Sequence, residues 1–215
     1  MPGFGLAETI ETCTNPVEPW AQLTACTQII DGGEWPGPSG AWAYSNRAMA
    51  HASLGNHQFA FDDHDKAIEL DPLNPRAFNN RATSHAEFRQ YEQALSDYAA
   101  ALELDPNYAT ALINRASVHD EMGNAAEARA DYDRAIALES AAGRPTADLV
   151  FLRADMACRM GDAEAAIRDR EPAMQSGLFP KEQMELLLIA KGYLKDGVDF
   201  DAALVAWTEA GCPWR

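Results

Sequence analysis

Ala67-Ile68-Glu69-Leu70-Asp71-Pro72 returns almost unchanged as Ala101-Leu102-Glu103-Leu104-Asp105-Pro106, 34 residues further along the chain. A second motif recurs at the same step, as Asn46-Arg47-Ala48, Asn80-Arg81-Ala82 and Asn114-Arg115-Ala116. Each copy is followed by a histidine three residues after its alanine: His51, His85 and His119. A fixed period of this length is the signature of a chain built from repeated supersecondary units.

Each period contains two amphipathic helices. We number the positions of a repeat so that Pro72 and Pro106 fall at position 32. Positions 4, 7, 8 and 11 then share one helical face, and positions 20, 24 and 27 share a second face. Gly55 and Gly123 mark the turn between the two helices, and the prolines end the second helix. The pattern therefore predicts stacked antiparallel helix hairpins.

A period of 34 residues, with small residues near positions 8, 20 and 27 and proline near position 32, resembles the tetratricopeptide repeat. The resemblance implies an all-α fold, a right-handed α-solenoid of antiparallel helix hairpins. We expect four repeats within residues 40–176, with Glu139–Thr146 as a longer loop. Their approximate bounds are 41–74, 75–108, 109–146 and 147–179.

The two ends of the chain depart from the repeat. Residues 180–215 read as a degenerate fifth repeat that caps the C-terminal end, because terminal repeats are normally atypical. Residues 1–39 read as an irregular segment with one capping helix, Pro19–Ile30, which begins at a proline.

Position 7 is arginine and position 23 is aspartate in all four repeats. The two positions are equidistant from the predicted turn, so antiparallel helices should bring them to the same height. In the fifth repeat Ile189 and Val205 replace both charges. We predict one apolar substitute there and four structural ion pairs: Arg47–Asp63, Arg81–Asp97, Arg115–Asp131 and Arg153–Asp169.

In tetratricopeptide proteins the first helices of successive repeats line a groove, and the resemblance implies the same here. Position 6 is asparagine in three repeats, and a carboxamide can pair with both the N–H and the C=O of an extended ligand. The alternative is that these asparagines only hydrogen-bond a neighbouring helix. The expected groove residues are Trp42, Asn46, Met49, Arg76, Asn79, Asn80, Thr83, Thr110, Asn114 and Ser117.

Composition and motifs weigh against several function classes. The 215 residues carry a formal net charge of -16, which disfavours nucleic acid and anionic membrane surfaces as partners. No stretch is long enough to span a bilayer. The sequence has no metal-binding or nucleophile motif of known spacing. We therefore predict no catalytic residue, metal or cofactor.

The resemblance favours an interaction module, an adaptor, assembly factor or scaffold that holds an extended or helical segment of another protein. The alternative is a structural subunit docked permanently in a larger complex through its convex face or its ends. Exposed Trp35, Trp207 and Trp214 near the irregular termini would favour this alternative.

The four cysteines bear on the compartment. The chain between Cys13 and Cys26 is long enough to fold back, so a disulfide is feasible there. Similar exported bacterial tetratricopeptide proteins carry a paired-cysteine N-terminal segment, which favours a periplasmic or exported location. Four cysteines would also suit a reducing cytosol. We expect Cys158 and Cys212 to be unpaired.

Overall fold

The computed structural model describes residues 5–15, 18–162, 164–169, 185, 188–190, 192–195 and 197–210. Every regular element among these residues is a helix, which confirms the predicted all-α class built from consecutive helix hairpins. The helices are α1 (Leu6–Thr14), α2 (Pro19–Gly32), α3 (Ala41–Ser53), α4 (His57–Leu70), α5 (Pro75–Glu87), α6 (Tyr91–Leu104), α7 (Ala109–Glu121), α8 (Ala125–Ala141), α9 (Ala147–Arg159) and α10 (Phe200–Glu209). A 3-10 turn precedes α3, and residues 164–169 are also helical. Within the described ranges, no helix is long and apolar enough to cross a membrane.

The chain divides into two compact units, Met1–Asn114 and Arg115–Arg215, with the boundary inside α7. In the first unit, the hairpins α1–α2, α3–α4 and α5–α6 follow one another and the first half of α7 completes the unit. The second unit contains the rest of α7, α8, α9 and α10.

Alanines at positions 8, 20 and 27 explain how the two helices of a hairpin pack so closely. Their side chains are completely buried in each of the first three repeats: Ala48, Ala60 and Ala67, then Ala82, Ala94 and Ala101, then Ala116, Ala128 and Ala135. A larger side chain at these positions would push the helices apart, because protein interiors leave few voids.

The repeated histidines lie in the last turn of the first helix of each hairpin, and their carbonyls accept the hydrogen bonds that close it. The backbone N–H of Asn56 donates to the carbonyl of His51 at 2.9 Å, and Gln90 makes the same bond to His85 at 2.8 Å. This hydrogen bond requires the residue immediately before the donor to adopt the left-handed conformation. Gly55 supplies it with φ 74°, but the second repeat has Arg89 there, with φ 59°.

The N-terminal segment is more regular than predicted. The expectation of a single helix in residues 1–39 is wrong, because α1 and α2 form a hairpin. A disulfide joins Cys13 to Cys26, with 5.0 Å between the Cα atoms, and the Gln22 side chain donates to the Cys13 carbonyl at 3.1 Å. Only Thr9 and Cys13 of α1 are buried. A nine-residue helix with so little apolar surface is marginal alone, so its periodicity gave little sign of it.

Two further expectations need correction. The loop predicted from Glu139 begins later, because α8 runs to Ala141. Cys158 is disulfide-bonded and not free, while Cys212 lies outside the described residues. Ile189 and Val205 are 56% and 38% exposed, and the apolar substitute predicted at these positions stays a prediction. Of the predicted fifth repeat, residues 180–184, 186–187, 191, 196 and 211–215 lie outside the described residues.

Candidate peptide-binding site

A cavity of about 390 Å³ opens between α3 and α5 of the first unit, beside the end of α1. It brings together four of the ten predicted groove residues, Trp42, Asn46, Arg76 and Asn80. The remaining lining residues are Thr14, Ala41, Ser45, Asn74 and Ala77. We call this site the α3–α5 cavity.

The start of α5 fixes one rim of the cavity. Asn74 is the N-cap residue, and its side-chain oxygen accepts from the backbone N–H of Arg76 at 3.1 Å. Its amide nitrogen donates to Asp71 at 3.0 Å, and Pro75 occupies the first helical turn. A capped first turn holds the Arg76 backbone in place while its side chain stays exposed.

A chain of amide hydrogen bonds runs through the first unit. Asn114 donates to Asn79 at 3.2 Å, and Asn79 donates to the adjacent Asn80 at 3.3 Å. Asn80 in turn donates to the Ser45 hydroxyl at 2.9 Å. This chain links α7, α5 and α3, so Asn80 and Asn114 have the role that the alternative interpretation gave them. Asn79 is only 4% exposed, and the prediction that it lies on the groove surface is wrong for that reason.

Asn46 differs from the other two asparagines at position 6. Neither its carboxamide nor the Arg76 guanidinium has a hydrogen-bond or ion-pair partner among the described residues, and both line the cavity. The nearby Trp42 ring packs against Trp35, with 5.2 Å between ring centroids. One side of the Trp42 indole is therefore occupied within the protein, and the ring forms a fixed wall of the cavity.

The other predicted groove residues do not line this cavity. Thr83 donates to the Asn79 carbonyl and lies 3.2 Å from the Tyr98 hydroxyl, while Ser117, in the second unit, lies 3.1 Å from the hydroxyl of Tyr132. These are contacts within hairpins, made because positions 9 and 24 face each other across the turn. Met49 and Thr110 are exposed but stand outside the lining.

The structure brings each predicted arginine to its aspartate with two hydrogen bonds. The distances are 2.7 and 2.7 Å for Arg47–Asp63, 2.7 and 2.7 Å for Arg81–Asp97, 2.6 and 2.7 Å for Arg115–Asp131, and 2.6 and 2.9 Å for Arg153–Asp169. The hydrogen bonds to the carboxylates raise the pKa of Arg47 and Arg81. These four cations are engaged in ion pairs within the protein.

Sequence reasoning missed a second partner of these arginines. Arg81 also reaches Asp65 of the preceding hairpin at 2.6 Å, and Arg153 similarly reaches Asp133. Asp65 and Asp133 both stand at position 25, two residues after the paired aspartate. That repeated aspartate was the available signal, but only the stacking of hairpins shows which arginine it faces.

The histidines take part in packing. His51 stacks on Phe59 and His85 on Phe61, with centroids 5.3 and 4.4 Å apart. His64 is completely buried, and its Nε2 lies 2.9 Å from the Ser84 hydroxyl. Burial, with smaller effects from nearby cations, lowers the pKa of His64 to about 3. Among the described residues, no group of three His, Cys, Asp or Glu side chains could hold a metal ion.

Known proteins share these hairpins. Models of the tetratricopeptide repeat match residues 41–74, 75–108 and 109–141. The chain is also similar to the tetratricopeptide protein TTC0263 of Thermus thermophilus, with 19% identity, a TM-score of 0.63, and coverage of 83% of this chain and 92% of that chain. It is similar to residues 41 to the end of MamA from Desulfovibrio magneticus RS-1, with 17% identity, a TM-score of 0.65, and coverage of 82% and 95%. No curated protein sequence matches the chain significantly. Residues 41–141 therefore match three consecutive models of the tetratricopeptide repeat.

Proposed function

We propose that the chain is a protein-interaction module, an adaptor or scaffold that holds a segment of a partner protein in the α3–α5 cavity. Solenoid repeats commonly bind partners along the surface lined by their first helices, and α3 and α5 are the first helices of two repeats. Six of the nine lining residues have polar side chains and Trp42 forms an aromatic wall. This combination suits a peptide segment, which has both polar and apolar groups, better than a small apolar ligand.

The observation that carries this proposal is the unused hydrogen-bonding capacity of Asn46 and Arg76. A carboxamide without a partner can donate to a ligand carbonyl and accept from a ligand N–H. The guanidinium adds donors that tolerate several ligand oxygens. Asn80, whose amide donates to Ser45, contributes less, because a ligand would have to share it.

Photocrosslinking in the native host tests the proposal. A photoreactive amino acid replaces Thr14, an exposed residue of the cavity lining, in one variant and exposed Glu103 of α6, away from the cavity, in the control. We expect the Thr14 position to capture a discrete partner, and we expect Asn46→Ala or Arg76→Ala, with the same crosslinker at Thr14, to lose that partner. The proposal would be contradicted if the Glu103 control captured the same partner equally well. It would also be contradicted if the yield of crosslinked partner were the same with and without Asn46→Ala.

A structural subunit docked through the ends of the chain is the weaker candidate. Its expected exposed tryptophans do not support it, since Trp207 is completely buried and Trp35 packs on Trp42. Trp214 lies outside the described residues.

We also infer an oxidising compartment, such as the bacterial periplasm, in line with the resemblance to exported repeat proteins. Support comes from Cys13, Cys26 and Cys158, all of which are disulfide-bonded, whereas cytosolic thiols are kept reduced. Alkylation of freshly lysed host cells tests this inference. Thiols blocked in the native protein are expected, and freely alkylated Cys13 and Cys26 would contradict it.

A further inference from the structure

The outer surface of the α1–α2 hairpin contains a second cleft, of about 710 Å³. We call it the outer cleft. The lining residues fall in two stripes with helical spacing, one on each helix, as expected for two helices that present one face to a third element. They are Glu8, Thr9, Glu11, Thr12 and Asn15 on one side, and Glu18, Trp20, Ala21, Thr24, Ala25 and Gln28 on the other.

The charge of this region is one-sided. From Met1 to Asn46 the chain has five carboxylates and no lysine, arginine or histidine. Three of these carboxylates, Glu8, Glu11 and Glu18, line the outer cleft and are exposed. In the described part of the chain none of the three makes an ion pair, whereas the aspartates of the repeats are paired with arginines. The cleft therefore has an uncompensated negative potential.

Trp20 adds an apolar contact to this acidic surface. Its side chain is 66% exposed and lines the cleft. Polar side chains alone would keep this face of the hairpin soluble, and Thr12, Thr24 and Gln28 in the cleft lining would meet that need. A tryptophan among them is instead the residue type that anchors protein interfaces, and its ring also attracts cations.

We propose that the outer cleft binds a basic amphipathic helix of a partner protein. The helix lays its apolar side chains between α1 and α2 and against Trp20, and its lysines or arginines pair with Glu8, Glu11 and Glu18. An acidic surface attracts a segment of opposite charge, so the occupant is expected to be basic. The groove between two parallel rows of helical residues can pack a third helix. This surface is separate from the α3–α5 cavity, so either site can exist without the other.

The test uses the full chain and a phage-displayed library of amphipathic helical peptides whose polar positions are randomised. We expect selection to enrich lysine and arginine at those positions. Selected peptides are then synthesised and titrated by fluorescence anisotropy. Trp20→Ala and the double variant Glu11→Lys/Glu18→Lys should each weaken binding about tenfold or more, the loss typical of a central anchor or of several charge pairs.

Matched controls separate this site from the general acidity of the chain. Phe59→Ala removes an aromatic side chain that is 63% exposed elsewhere. Glu92→Lys/Glu103→Lys makes the same charge change on exposed α6 positions. We expect both controls to bind within about twofold of the unmodified chain, because exposed charges at a distance are screened.

Three results would overturn the proposal. The first is enrichment of peptides that have no net positive charge, or selection only of peptides whose affinity is unchanged by Trp20→Ala. The second is an equal loss of affinity in the α6 charge control. The third is a shift of the chain from dimer to monomer on Trp20→Ala in sedimentation, which would make a second copy the occupant. Circular dichroism of every variant checks that the helices are intact.

Discussion

Arg81 donates two hydrogen bonds of 2.7 Å to Asp97, and its third guanidinium nitrogen donates to Asp65 of the preceding hairpin at 2.6 Å. The Asp97 side chain is 10% exposed, whereas that of Asp65 is 66% exposed. One guanidinium therefore closes its own hairpin and holds the register with the previous one. Burial of the first pair and exposure of the second make their energies very different.

Asp97→Ala should lower the free energy of unfolding by about 3 kcal/mol, because it leaves the Arg81 cation partly buried without its main partner. Asp65→Ala should cost less than about 1 kcal/mol, as exposed pairs do. Urea denaturation followed by circular dichroism measures both. Similar losses for the two variants would show that burial does not govern these pairs.

Arg89 is the one described residue other than glycine with a positive φ, and it stands where the first and third repeats have glycine. Arg89→Gly should stabilise the chain by about 0.5–1 kcal/mol, since a left-handed conformation costs an ordinary side chain about 1–2 kcal/mol and glycine loses part of that gain as backbone entropy. Gly55→Ala is the reverse control and should destabilise by about 1 kcal/mol. Thermal unfolding compares the two. A lower melting temperature for Arg89→Gly would contradict the prediction.

The asparagines should separate into structural and ligand-facing groups. Asn79→Ala removes the buried link between Asn114 and Asn80 and should cost about 2 kcal/mol, because both partners lose a hydrogen bond inside the protein. Asn46→Ala removes no internal bond and should change stability by less than about 0.5 kcal/mol. Urea denaturation measures both changes in the free energy of unfolding, from the shift of the midpoint where the dependence on urea concentration is unchanged. A clear loss of stability in Asn46→Ala would show that Asn46 has a structural role and is not free to bind a ligand.

His64 should make the fold sensitive to acid. Folding lowers its pKa from 6.5 to about 3, so between these values the unfolded chain binds a proton that the folded chain does not. Stability is therefore fully present above pH 6.5 and falls as the pH drops, by at most about 1.4 kcal/mol per pH unit. Paired carboxylates add their own acid sensitivity, so the measurement is the difference between the unmodified chain and His64→Phe. We expect the loss between about pH 7 and pH 4 to be smaller in His64→Phe by up to about 3 kcal/mol. Parallel curves would rule out this role for His64.

The disulfide should hold α1 against α2. Replacing Cys13 and Cys26 by serine should destabilise the hairpin by about 3 kcal/mol, the value expected for closing a loop of this size. Hydrogen exchange should then rise in α1 and stay unchanged in α5 and α6. Unchanged protection of α1 would mean that its packing is sufficient without the covalent link.

The sequence alone determined the period, the hairpins and the four Arg–Asp pairs. These features depend on spacing within one hairpin, and a turn fixes which residues oppose each other. Position 7 meets position 23 in every repeat for that reason, and the chain needs no information from distant segments to specify it.

Tertiary structure decided how the polar residues of neighbouring hairpins are used. Asn46, Asn80 and Asn114 occupy the same position in the sequence repeat, yet Asn80 and Asn114 donate to side chains of an adjacent helix and Asn46 faces the α3–α5 cavity unpaired. The first repeat follows the α1–α2 hairpin and not another full repeat, so its surroundings differ. Identical residues acquire different roles because hydrogen-bond partners across hairpins depend on stacking, which a one-dimensional period does not encode.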